Sequence, residues 1–484
     1  MENEKLIIGR HAEQQELHRL YNSKNAEFVA VYGRRRVGKT FLIRETFYKR
    51  LTFCHTGLNI YDENDHVTTG EQLRHFYHTL QQHGADVDHT PEDWLEAFYM
   101  LESLLEKLDD GSRQVVFIDE LPWLDTDGSR FMMALEAFWN TWGAARHNLM
   151  LIVCGSAASW MIKNLVKNKG GLFDRLTFEM KLKPFTLSEC EQLLESKNIH
   201  YSRYDTTVAY MALGGIPYYF SYFRQGLSLA QNLDALLTEK NAKLGMEFRK
   251  LFRSLFKNPA NYVEIIRYLS TRHLGFTRED IASHLGITTG GTLSDILDTL
   301  AASDFIEYYK PFDAKKYEKL YRLTDPFCRT WIHFMENKQI CDPQFWQHNI
   351  TSPAIYAWSG TAFEEVCMLH TAQIKRALGL AVVMTETSAF TLRADEHHDG
   401  TQCDMIIRRA DRVVNLCEMK FCMQQYIINK EEDLKLRNRL GVVREYIRKT
   451  ENLQLTFIST YGVKENLYSS IVQSQVTLDD LFKD

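Results

Sequence analysis

A glycine-rich loop near the start of the chain constrains its fold more than any other feature. Residues 28–32, rich in β-branched and aromatic side chains, predict a buried strand, and an apolar-periodic segment after residue 40 predicts a helix. Between them stands the pattern G-x-x-x-x-G-K-T, which contains Gly33, Gly38, Lys39 and Thr40. A strand, this loop and a helix in succession are what a phosphate-binding loop requires. The sequence therefore predicts a parallel α/β sheet that binds a nucleotide.

The residue types of the loop fit the chemistry of a triphosphate. Gly33 and Gly38 let the backbone curl so that its N–H groups point at the phosphates, and the opening helix adds its positive N-terminal end. Lys39 is predicted to neutralise the β- and γ-phosphate oxygens, and the Thr40 hydroxyl to ligate Mg²⁺. The alternative is a structural glycine-rich turn, which needs the pattern and its flanks to coincide by accident. The predicted ATP-binding residues of the loop are Gly33, Arg34, Arg35, Arg36, Val37, Gly38, Lys39 and Thr40.

Composition narrows the class of protein. The chain has 484 residues, 45% of them hydrophobic, so it has room for several packed cores. Its net charge of −6 argues against a general nucleic-acid coat, so any such contact needs a local patch. The nine cysteines lack zinc-type C-x-x-C pairs, the first residues are unlike a signal peptide, and the longest apolar run is too short to span a bilayer. We expect a cytoplasmic protein with no membrane partner.

A second chemical signal follows the apolar run at residues 115–118, which predicts a buried parallel strand. Asp119 and Glu120 stand at its C-terminal end, where such sheets bind ligands. Asp119 is predicted to hold Mg²⁺ through water, and Glu120 to orient and deprotonate the attacking water. The alternative is an acidic strand end that caps the next helix.

Two further positions have two interpretations each. Ser156 ends the apolar run at residues 149–154 and is either a polar tip beside the nucleotide or the N-cap of a helix over residues 157–165. Arg175 follows a Gly-Gly step. It either stabilises transition-state charge, in cis or from a neighbouring subunit, or simply pairs with Asp174.

Residues 262–323 predict a winged helix-turn-helix. The order is a helix, a second helix over residues 278–285, a glycine-bearing turn, a third helix over residues 292–301 and two short strands. The third helix, which would be the recognition helix, carries Asp295 and Asp298 but neither Lys nor Arg, so a phosphate groove would repel it. We therefore expect it to dock a protein partner, with base readout as the alternative.

A second cluster of charged residues lies on a predicted hairpin near the end of the chain. Strand alternation places Glu418 and Lys420 on one face, and Asp404 joins that face only if the connecting loop has an odd residue count. Carboxylates so gathered hold one or two Mg²⁺ ions, and the lysine can orient a water for phosphodiester attack. The alternative is a solvated hairpin whose charges face water.

Several of these motifs resemble known families. The segment G-R-x-x-E at residues 9–13 is similar to the opening of AAA-related and STAND-type ATPases, which implies that Gly9 and Arg10 lie beside the base and ribose. In those families the strand before Ser156 is a sensor of the γ-phosphate. Residues 214–217, Gly-Gly-Ile-Pro, are similar to the element through which a STAND lid senses nucleotide, although they also suit a helix stop. Asp404, Glu418, Lys420 and an upstream helical Glu364 resemble the PD-(D/E)XK nucleases.

The order of these motifs is similar, over nearly the whole chain, to the archaeal-type ATPase family of archaea and bacteria. The resemblance implies a multidomain α/β protein with a P-loop NTPase parallel sheet over residues 1–185 and a helical lid over residues 186–250. A winged helix over residues 251–340 and a restriction-endonuclease-like α/β domain over residues 350–484 would follow. It also implies ATP and Mg²⁺ as cofactors. A local basic surface, diluted by Glu431, Glu432 and Asp433, is formed by Arg408, Arg409, Arg412, Lys430, Lys435, Arg437 and Arg439.

Two functions from different classes follow. In the first, ATP hydrolysis moves the lid and the winged helix and licenses Mg²⁺-dependent cleavage of DNA or RNA, with Glu364, Asp404, Glu418 and Lys420 as the catalytic set. In the second, the protein is a nucleotide-switched signalling or scaffold ATPase, and its last domain is a non-catalytic platform for a protein partner. Both are compatible with a homo-oligomer in which Arg175 crosses a subunit boundary.

Overall fold

A computed structural model describes residues 7–60, 67–168, 170–256, 258–312, 319–336, 342–392 and 400–483. The chain divides into two compact units. The first comprises Met1–Pro184, Arg249–Tyr262 and Asp298–Asp304, and the second comprises Phe185–Phe248, Val263–Leu297 and Phe305–Asp484.

The first unit is built on a parallel five-stranded sheet. Its strands are β1 (Glu27–Tyr32), β2 (Leu51–Thr56), β3 (Gln114–Asp119), β4 (Leu149–Gly155) and β5 (Phe178–Lys181). They lie in the order β2-β3-β4-β1-β5, and every pairing is parallel. All residues of β1, β3 and β4 are buried, which is why continuous apolar runs predicted these strands. Because β4 lies between β1 and β3, the C-terminal ends of these three strands meet at one edge of the sheet.

Helices and a large aromatic core surround this sheet. The helices are α1 (His11–Tyr21), α2 (Lys39–Thr46), α3 (Thr69–Gln82), α4 (Trp94–Lys107), α5 (Phe131–Ala137) and α6 (Ala158–Met161). Phe28 of β1 packs on Trp139 with ring centroids 4.8 Å apart, and Phe98 of α4 stacks on Phe138 at 5.0 Å. These buried aromatic contacts fix the helices against the sheet.

Helical periodicity over residues 91–108 predicts a helix with Pro91 in its first turn. The helix, α4, begins instead at Trp94. Asp93 is its N-cap, and the Asp93 carboxylate accepts a hydrogen bond from the Glu96 backbone N–H. A satisfied cap of this kind fixes a helix start more firmly than a proline that merely tolerates it.

His55 makes the first unit sensitive to acid. It is buried in β2, and its Nδ1 lies 2.9 Å from the Thr79 hydroxyl oxygen. Burial, together with the nearby His75 and His83, lowers the pKa of His55 from 6.5 to about 3. A folded-state pKa below the unfolded one favours the neutral ring, so the stabilisation is complete above pH 6.5 and is lost as the pH falls toward 3.

We therefore expect the free energy of unfolding of this unit to fall by about 1.4 kcal/mol per pH unit below pH 6, through this group alone. Urea titrations at pH 7 and pH 5 measure the effect, with His55→Asn as the comparison because an amide does not titrate in this range. The free energy of unfolding should change between pH 7 and pH 5 by about 2 kcal/mol less in the variant than in the wild type. An unchanged pH dependence in His55→Asn would contradict the assignment.

The second unit begins with helices. They are α7 (Leu187–Ser196), α8 (Arg203–Leu213), α9 (Pro217–Phe220) and α10 (Leu229–Leu237). The Gly-Gly-Ile-Pro segment ends α8 and begins α9, as predicted. Gly215 is required there by a close approach, since a Cβ at this position would lie 2.0 Å from the carbonyl oxygen of Phe185.

A small three-stranded sheet accompanies the next helices. The helices α11 (Glu247–Leu255), α12 (Ala260–Ser270), α13 (Arg278–Leu285) and α14 (Gly291–Ala302) alternate with β6 (Phe276–Thr277), β7 (Ile306–Tyr309) and β8 (Leu320–Leu323). The strand order is β6-β8-β7, and both pairings are antiparallel. Gly275, with a φ of 80°, leads into β6, and a Cβ there would lie 2.1 Å from the Tyr321 carbonyl oxygen. Glycine therefore lets the turn before β6 lie against β8.

The last part of the second unit is a mixed five-stranded sheet with helices. Helices α15 (Pro326–Thr330), α16 (Phe345–Asn349), α17 (Pro353–Leu369) and α18 (Thr371–Ala377) precede β9 (Thr385–Leu392), β10 (Thr401–Arg409) and β11 (Val413–Lys420). Then follow α19 (Lys430–Glu445), β12 (Asn452–Ser459), β13 (Ser474–Thr477) and α20 (Leu478–Leu481). The strand order is β13-β12-β11-β10-β9, antiparallel among β9, β10 and β11 and parallel among β11, β12 and β13.

The helices and cysteines of the described residues can be compared with the sequence as a whole. None of their helices combines the length and the apolar character that a bilayer crossing needs. The cysteines among the described residues are free thiols.

Candidate functional sites

The glycine-rich loop of the first unit turns directly from β1 into α2. Gly33 has a φ of 142°, and a Cβ there would lie 2.3 Å from the Leu182 carbonyl oxygen. Gly38 is the N-cap of α2 with a φ of 95°, and Arg36 also has a positive φ, of 72°. These left-handed turns curl the backbone as a phosphate cradle requires, since L-residues with side chains rarely adopt them.

Lys39 is held at the loop by the loop itself. Its side chain is buried, and its Nζ donates to the carbonyl oxygens of Gly33 at 3.0 Å and of Arg34 at 3.1 Å. Both of these partners are neutral carbonyl groups, so they do not compensate the positive charge of the buried ammonium. The position fits a group that receives an anion at the helix N-terminus.

Thr40 and Asp119 form the second part of this site. The Thr40 hydroxyl donates to Asp119 Oδ2 at 2.8 Å, and Asp119 is buried at the C-terminal end of β3. Asp119 Oδ1 accepts from the Glu120 backbone N–H at 3.0 Å. A hydroxyl beside a carboxylate is a donor set of hard oxygens, which fits Mg²⁺.

Glu120 is held by Ser156, a contact that the sequence did not predict. The Glu120 backbone is left-handed, with a φ of 49°. Its Oε2 accepts from the Ser156 backbone N–H at 3.0 Å and from the Ser156 hydroxyl at 2.8 Å. The N-cap alternative for Ser156 is wrong, because α6 begins at Ala158 and its N-cap is Ala157. The serine at the tip of β4 positions the carboxylate at the tip of β3.

The opening segment lies against the same loop. Arg10 is buried and left-handed, with a φ of 56°. Its guanidinium donates to the carbonyl oxygens of Val37 at 3.3 Å and Lys183 at 2.7 Å. Gly9 accepts from the Gln14 amide at 2.8 Å. Arg10 thus connects the loop to the segment that follows β5. This contact gives Arg10 a structural role.

Arg175 takes no part in these hydrogen bonds. Its side chain is exposed, and within the described residues it makes no hydrogen bond or ion pair, including with Asp174. The arginine-finger interpretation therefore stays a prediction, and the simple pairing with Asp174 is wrong.

The second unit gathers the charged residues of the predicted hairpin. Met405 pairs with Cys417 across β10 and β11, and the same register continued by one residue puts Asp404 opposite Glu418. The odd-count condition for a shared face is therefore met. Glu364 lies on α17, and one carboxylate oxygen each of Glu364 and Asp404 lies within 4.8 Å of the other.

Glu418 differs from the other two carboxylates because it has two cationic partners. Its Oε1 lies 2.9 Å from Lys420 Nζ, and its Oε2 is paired with Arg439 of α19. Lys420 also lies 3.7 Å from Glu432. The Glu-x-Lys pair of the motif is thus a real ion pair on one face of β11.

His273 joins the cluster and was missed by sequence reasoning. It lies in the turn between α12 and β6, and its Nε2 is 3.4 Å from Glu364 Oε2. Its Nδ1 lies 3.8 Å from Glu365 Oε2. Since its partners lie on α17 and β10, far along the chain, no local spacing could have linked them. The three groups whose donor atoms lie within 4.8 Å of one another are His273, Glu364 and Asp404.

The electrostatics of the cluster follow from burial and crowding. Burial, with the nearby carboxylates of Asp404 and Glu418, raises the pKa of Glu364 to about 8. Burial also raises the pKa of Asp404, and Glu418 adds to that shift. Burial and the charges of Arg329 and Arg322 lower the pKa of His273 to about 3. Carboxylates with raised pKa values beside a neutral imidazole form a site that a cation would stabilise.

The predicted basic surface is largely neutralised by local ion pairs. Arg408 pairs with Glu451 at 2.9 Å, and Lys435 pairs with Glu431 at 2.8 Å. The remaining pairs are Arg409 with Asp411, Arg437 with Asp433 and Arg439 with Glu418. Charges compensated in this way contribute little to phosphate binding.

Comparison with known proteins gives a match to the first part of the chain and a similarity over nearly its whole length. Residues 8–223 match the family model of an ATPase domain predominantly from Archaea. This part of the chain, which contains the loop and the residues hydrogen-bonded around Asp119 and Glu120, is therefore an ATPase domain, and the protein binds and hydrolyses ATP. Over nearly its full length the chain is similar to the uncharacterized protein MJECL04 of Methanocaldococcus jannaschii, with 21% identity over 460 residues and 94% of each chain covered.

Two solved structures are also similar to the chain. One is the Walker-type ATPase PABY2304 of Pyrococcus abyssi, with 19% identity, a TM-score of 0.47 and coverage of 68% of this chain and 96% of that chain. The other is the ORC2 protein of Aeropyrum pernix in its ADPNP–ADP complexes, with 14% identity, a TM-score of 0.41 and coverage of 68% and 95%. ATP binding by this chain is inferred from the family match and the loop geometry, not from these two likenesses.

Proposed function

We propose that ATP hydrolysis in the first unit uses Lys39, Thr40, Asp119, Glu120 and Ser156 in distinct roles. The observation that supports this assignment is the unbroken series of hydrogen bonds from Thr40 to Asp119, on to the Glu120 backbone, and from the Glu120 carboxylate to Ser156. It fixes each polar side chain at the edge of the sheet where β1, β3 and β4 end.

In this proposal each residue acts at a stated atom. Lys39 Nζ binds the β- and γ-phosphate oxygens, and the N–H groups of the loop bind the same phosphates from the helix N-terminus. Glu120 Oε1, the oxygen that Ser156 leaves unbonded, accepts the proton of the attacking water. Ser156 keeps the Glu120 carboxylate in the orientation that this proton transfer needs.

Thr40 and Asp119 would hold Mg²⁺, the hydroxyl directly and the carboxylate through water. An ion held there would supply positive charge against the negative charge that develops on the phosphate during hydrolysis. Gly9 and Arg10 would line the base side of the site, and Arg175 would act only if a neighbouring subunit or a loop movement brings it to the phosphates.

We also propose the domain limits expected from the sequence. Residues 186–250 would form the lid that responds to nucleotide, and residues 251–340 a winged helix, supported by the succession of α12, β6, α13, α14, β7 and β8. Asp295 and Asp298 of α14 are exposed, which supports a protein partner over DNA for that helix.

A second activity, phosphodiester cleavage in the second unit, is favoured by one specific observation. The register of β10 and β11, continued by one residue, puts Asp404 opposite Glu418. Glu364 lies close to Asp404, and Lys420 is paired with Glu418. We propose that these carboxylates hold a divalent ion, for which the sequence suggests Mg²⁺, and that Lys420 orients the attacking water on DNA or RNA.

The test of this second activity is a cleavage assay with single- and double-stranded DNA and RNA, with both Mg²⁺ and Mn²⁺. Lys420→Ala should lower the cleavage rate by at least about 100-fold, because the water-orienting cation is lost. Lys435→Ala is the matched control: Lys435 is an exposed lysine of the same sheet-and-helix region whose carboxylate partner is Glu431. The control should cleave at the wild-type rate.

Metal-dependent cleavage that survives Lys420→Ala would overturn the role given to this lysine. If the wild-type protein cleaves nothing while its ATPase responds to a protein partner and not to DNA, the scaffold function would be the correct one. The neutralised basic surface and the acidic face of α14 are the observations that favour that outcome.

A further inference from the structure

The charges around Glu364 and Asp404 do not balance within the cluster. Glu418 has two cationic partners, Lys420 and Arg439, and Glu365 lies 3.4 Å from Arg329. Among the described residues, no Lys or Arg lies within ion-pair distance of Glu364 or Asp404. The hydrogen-bond partner of Asp404 is the Gln402 amide, at 2.9 Å. Two adjacent and mostly buried carboxylates are therefore left without a cation.

The imidazole ring of His273, beside these carboxylates, is also buried without a polar partner among the described residues. Both of its ring nitrogens are shielded from solvent, and neither has a hydrogen-bond partner in the part of the chain that the structure describes. Buried polar atoms are nearly always satisfied, so an imidazole with two unbonded nitrogens beside two unbalanced carboxylates requires an explanation. A bound cation satisfies all three groups at once, because a neutral imidazole donates a lone pair and the carboxylates supply charge.

The turn that carries His273 is fixed in place. Gly275 donates to the Arg272 carbonyl oxygen at 3.1 Å, and the backbone of β6 then pairs with β8. Leu274, next to the histidine, accepts from the Tyr309 hydroxyl at 2.7 Å. The histidine is therefore held by main-chain bonds on both sides, as a preorganised ligand should be.

We propose that His273, Glu364 and Asp404 bind a divalent transition-metal ion of the manganese-to-zinc series in preference to Mg²⁺. Glu418 already pairs with Lys420 and Arg439, so the preference for the ion comes from the three groups that lack a cation. The catalytic role of this ion rests on the proposed phosphodiester cleavage. Binding of the ion does not depend on that activity.

Geometry and ligand chemistry both favour this ion class. Two donors each about 2.1 Å from one ion lie roughly 3.0–3.4 Å apart in octahedral or tetrahedral sites. The 3.4 Å between His273 Nε2 and Glu364 Oε2 falls in that range. Imidazole nitrogen suits zinc and its neighbours, whereas Mg²⁺ prefers oxygen ligands and retains its waters.

The test measures metal binding alone, by equilibrium dialysis and calorimetry of the full chain without nucleotide, with MnCl₂, ZnCl₂ and MgCl₂ as probes. Loss of a side chain that only hydrogen-bonds a metal ligand weakens metal binding by about 10–100-fold. Since His273 is itself a ligand, His273→Ala should weaken Mn²⁺ and Zn²⁺ binding by about 100-fold or more. His284→Ala is the matched control, since His284 lies in the same segment, 3.1 Å from Glu264, and outside the cluster. The control should bind all three ions as the wild type does.

His273→Asn provides a second variant that keeps a polar donor of similar size. In this variant the ratio of Mn²⁺ or Zn²⁺ affinity to Mg²⁺ affinity should fall by at least about tenfold, because an oxygen replaces the nitrogen ligand. Equal affinity of wild type for Mg²⁺ and Mn²⁺, or unchanged Mn²⁺ and Zn²⁺ binding in both His273 variants, would overturn the proposal. Because no substrate is present, metal binding that depends on His273 supports the proposal even if the protein cleaves no nucleic acid.

Discussion

Replacing Lys39 by alanine should strongly weaken nucleotide binding. The Lys39 ammonium is buried at the loop, and its hydrogen bonds to the described residues are to two neutral carbonyl oxygens, so its charge is available to the phosphates. Charge-assisted hydrogen bonds of this kind contribute about 1.5–3 kcal/mol each. Lys39→Ala should therefore weaken ATP binding by at least about 30-fold, and isothermal titration with Mg²⁺ and ATP measures the change.

Lys107→Ala is the appropriate control for that experiment. Lys107 ends α4 in the same unit, is about half exposed and pairs with Asp86 at 2.7 Å. Its removal deletes a positive charge without touching the loop, so ATP affinity should be unchanged. Equal affinity in Lys39→Ala and wild type would show that the phosphates bind elsewhere.

Glu120→Gln should separate binding from turnover. Glutamine has nearly the same shape and keeps an oxygen that can accept the two Ser156 hydrogen bonds, so the edge of the sheet should keep its geometry. It cannot accept a proton from the attacking water. Loss of a general base lowers rates by about 100- to 10,000-fold, and we expect phosphate release to fall within that range while ATP affinity changes little.

The control for this variant is Glu106→Gln. Glu106 lies on α4, and its side chain is 57% exposed. Phosphate release, followed with excess ATP, should match the wild type in Glu106→Gln. If Glu120→Gln loses ATP affinity and turnover together, the carboxylate holds the nucleotide rather than the water.

Local patterns predicted the first unit well because its chemistry is local. The glycine loop places strand, cradle and helix within a few residues of each other, so periodicity and glycine spacing were sufficient. The fully buried β1, β3 and β4 produced the continuous apolar runs that identified them. The register of β10 and β11 followed from alternation once the residue count of the loop was known.

Long-range contacts were beyond the same reasoning. Ser156 binds Glu120 across two neighbouring strands, and His273 reaches Glu364 from a turn in another part of the chain. Neither pair has a fixed sequence spacing, because the fold alone brings the residues together. Helix starts show the same limit on a smaller scale: the Asp93 cap, and not Pro91, sets the beginning of α4.

The nucleotide bound to Glu120→Gln after incubation with Mg²⁺ and ATP tests the central assignment most directly. The protein is freed of unbound nucleotide, denatured, and its bound nucleotide identified by chromatography, beside wild type treated in the same way. We predict intact ATP on Glu120→Gln and ADP as the product released by the wild type. ADP formed by Glu120→Gln at the wild-type rate would contradict the assignment of Glu120 as the base that activates water.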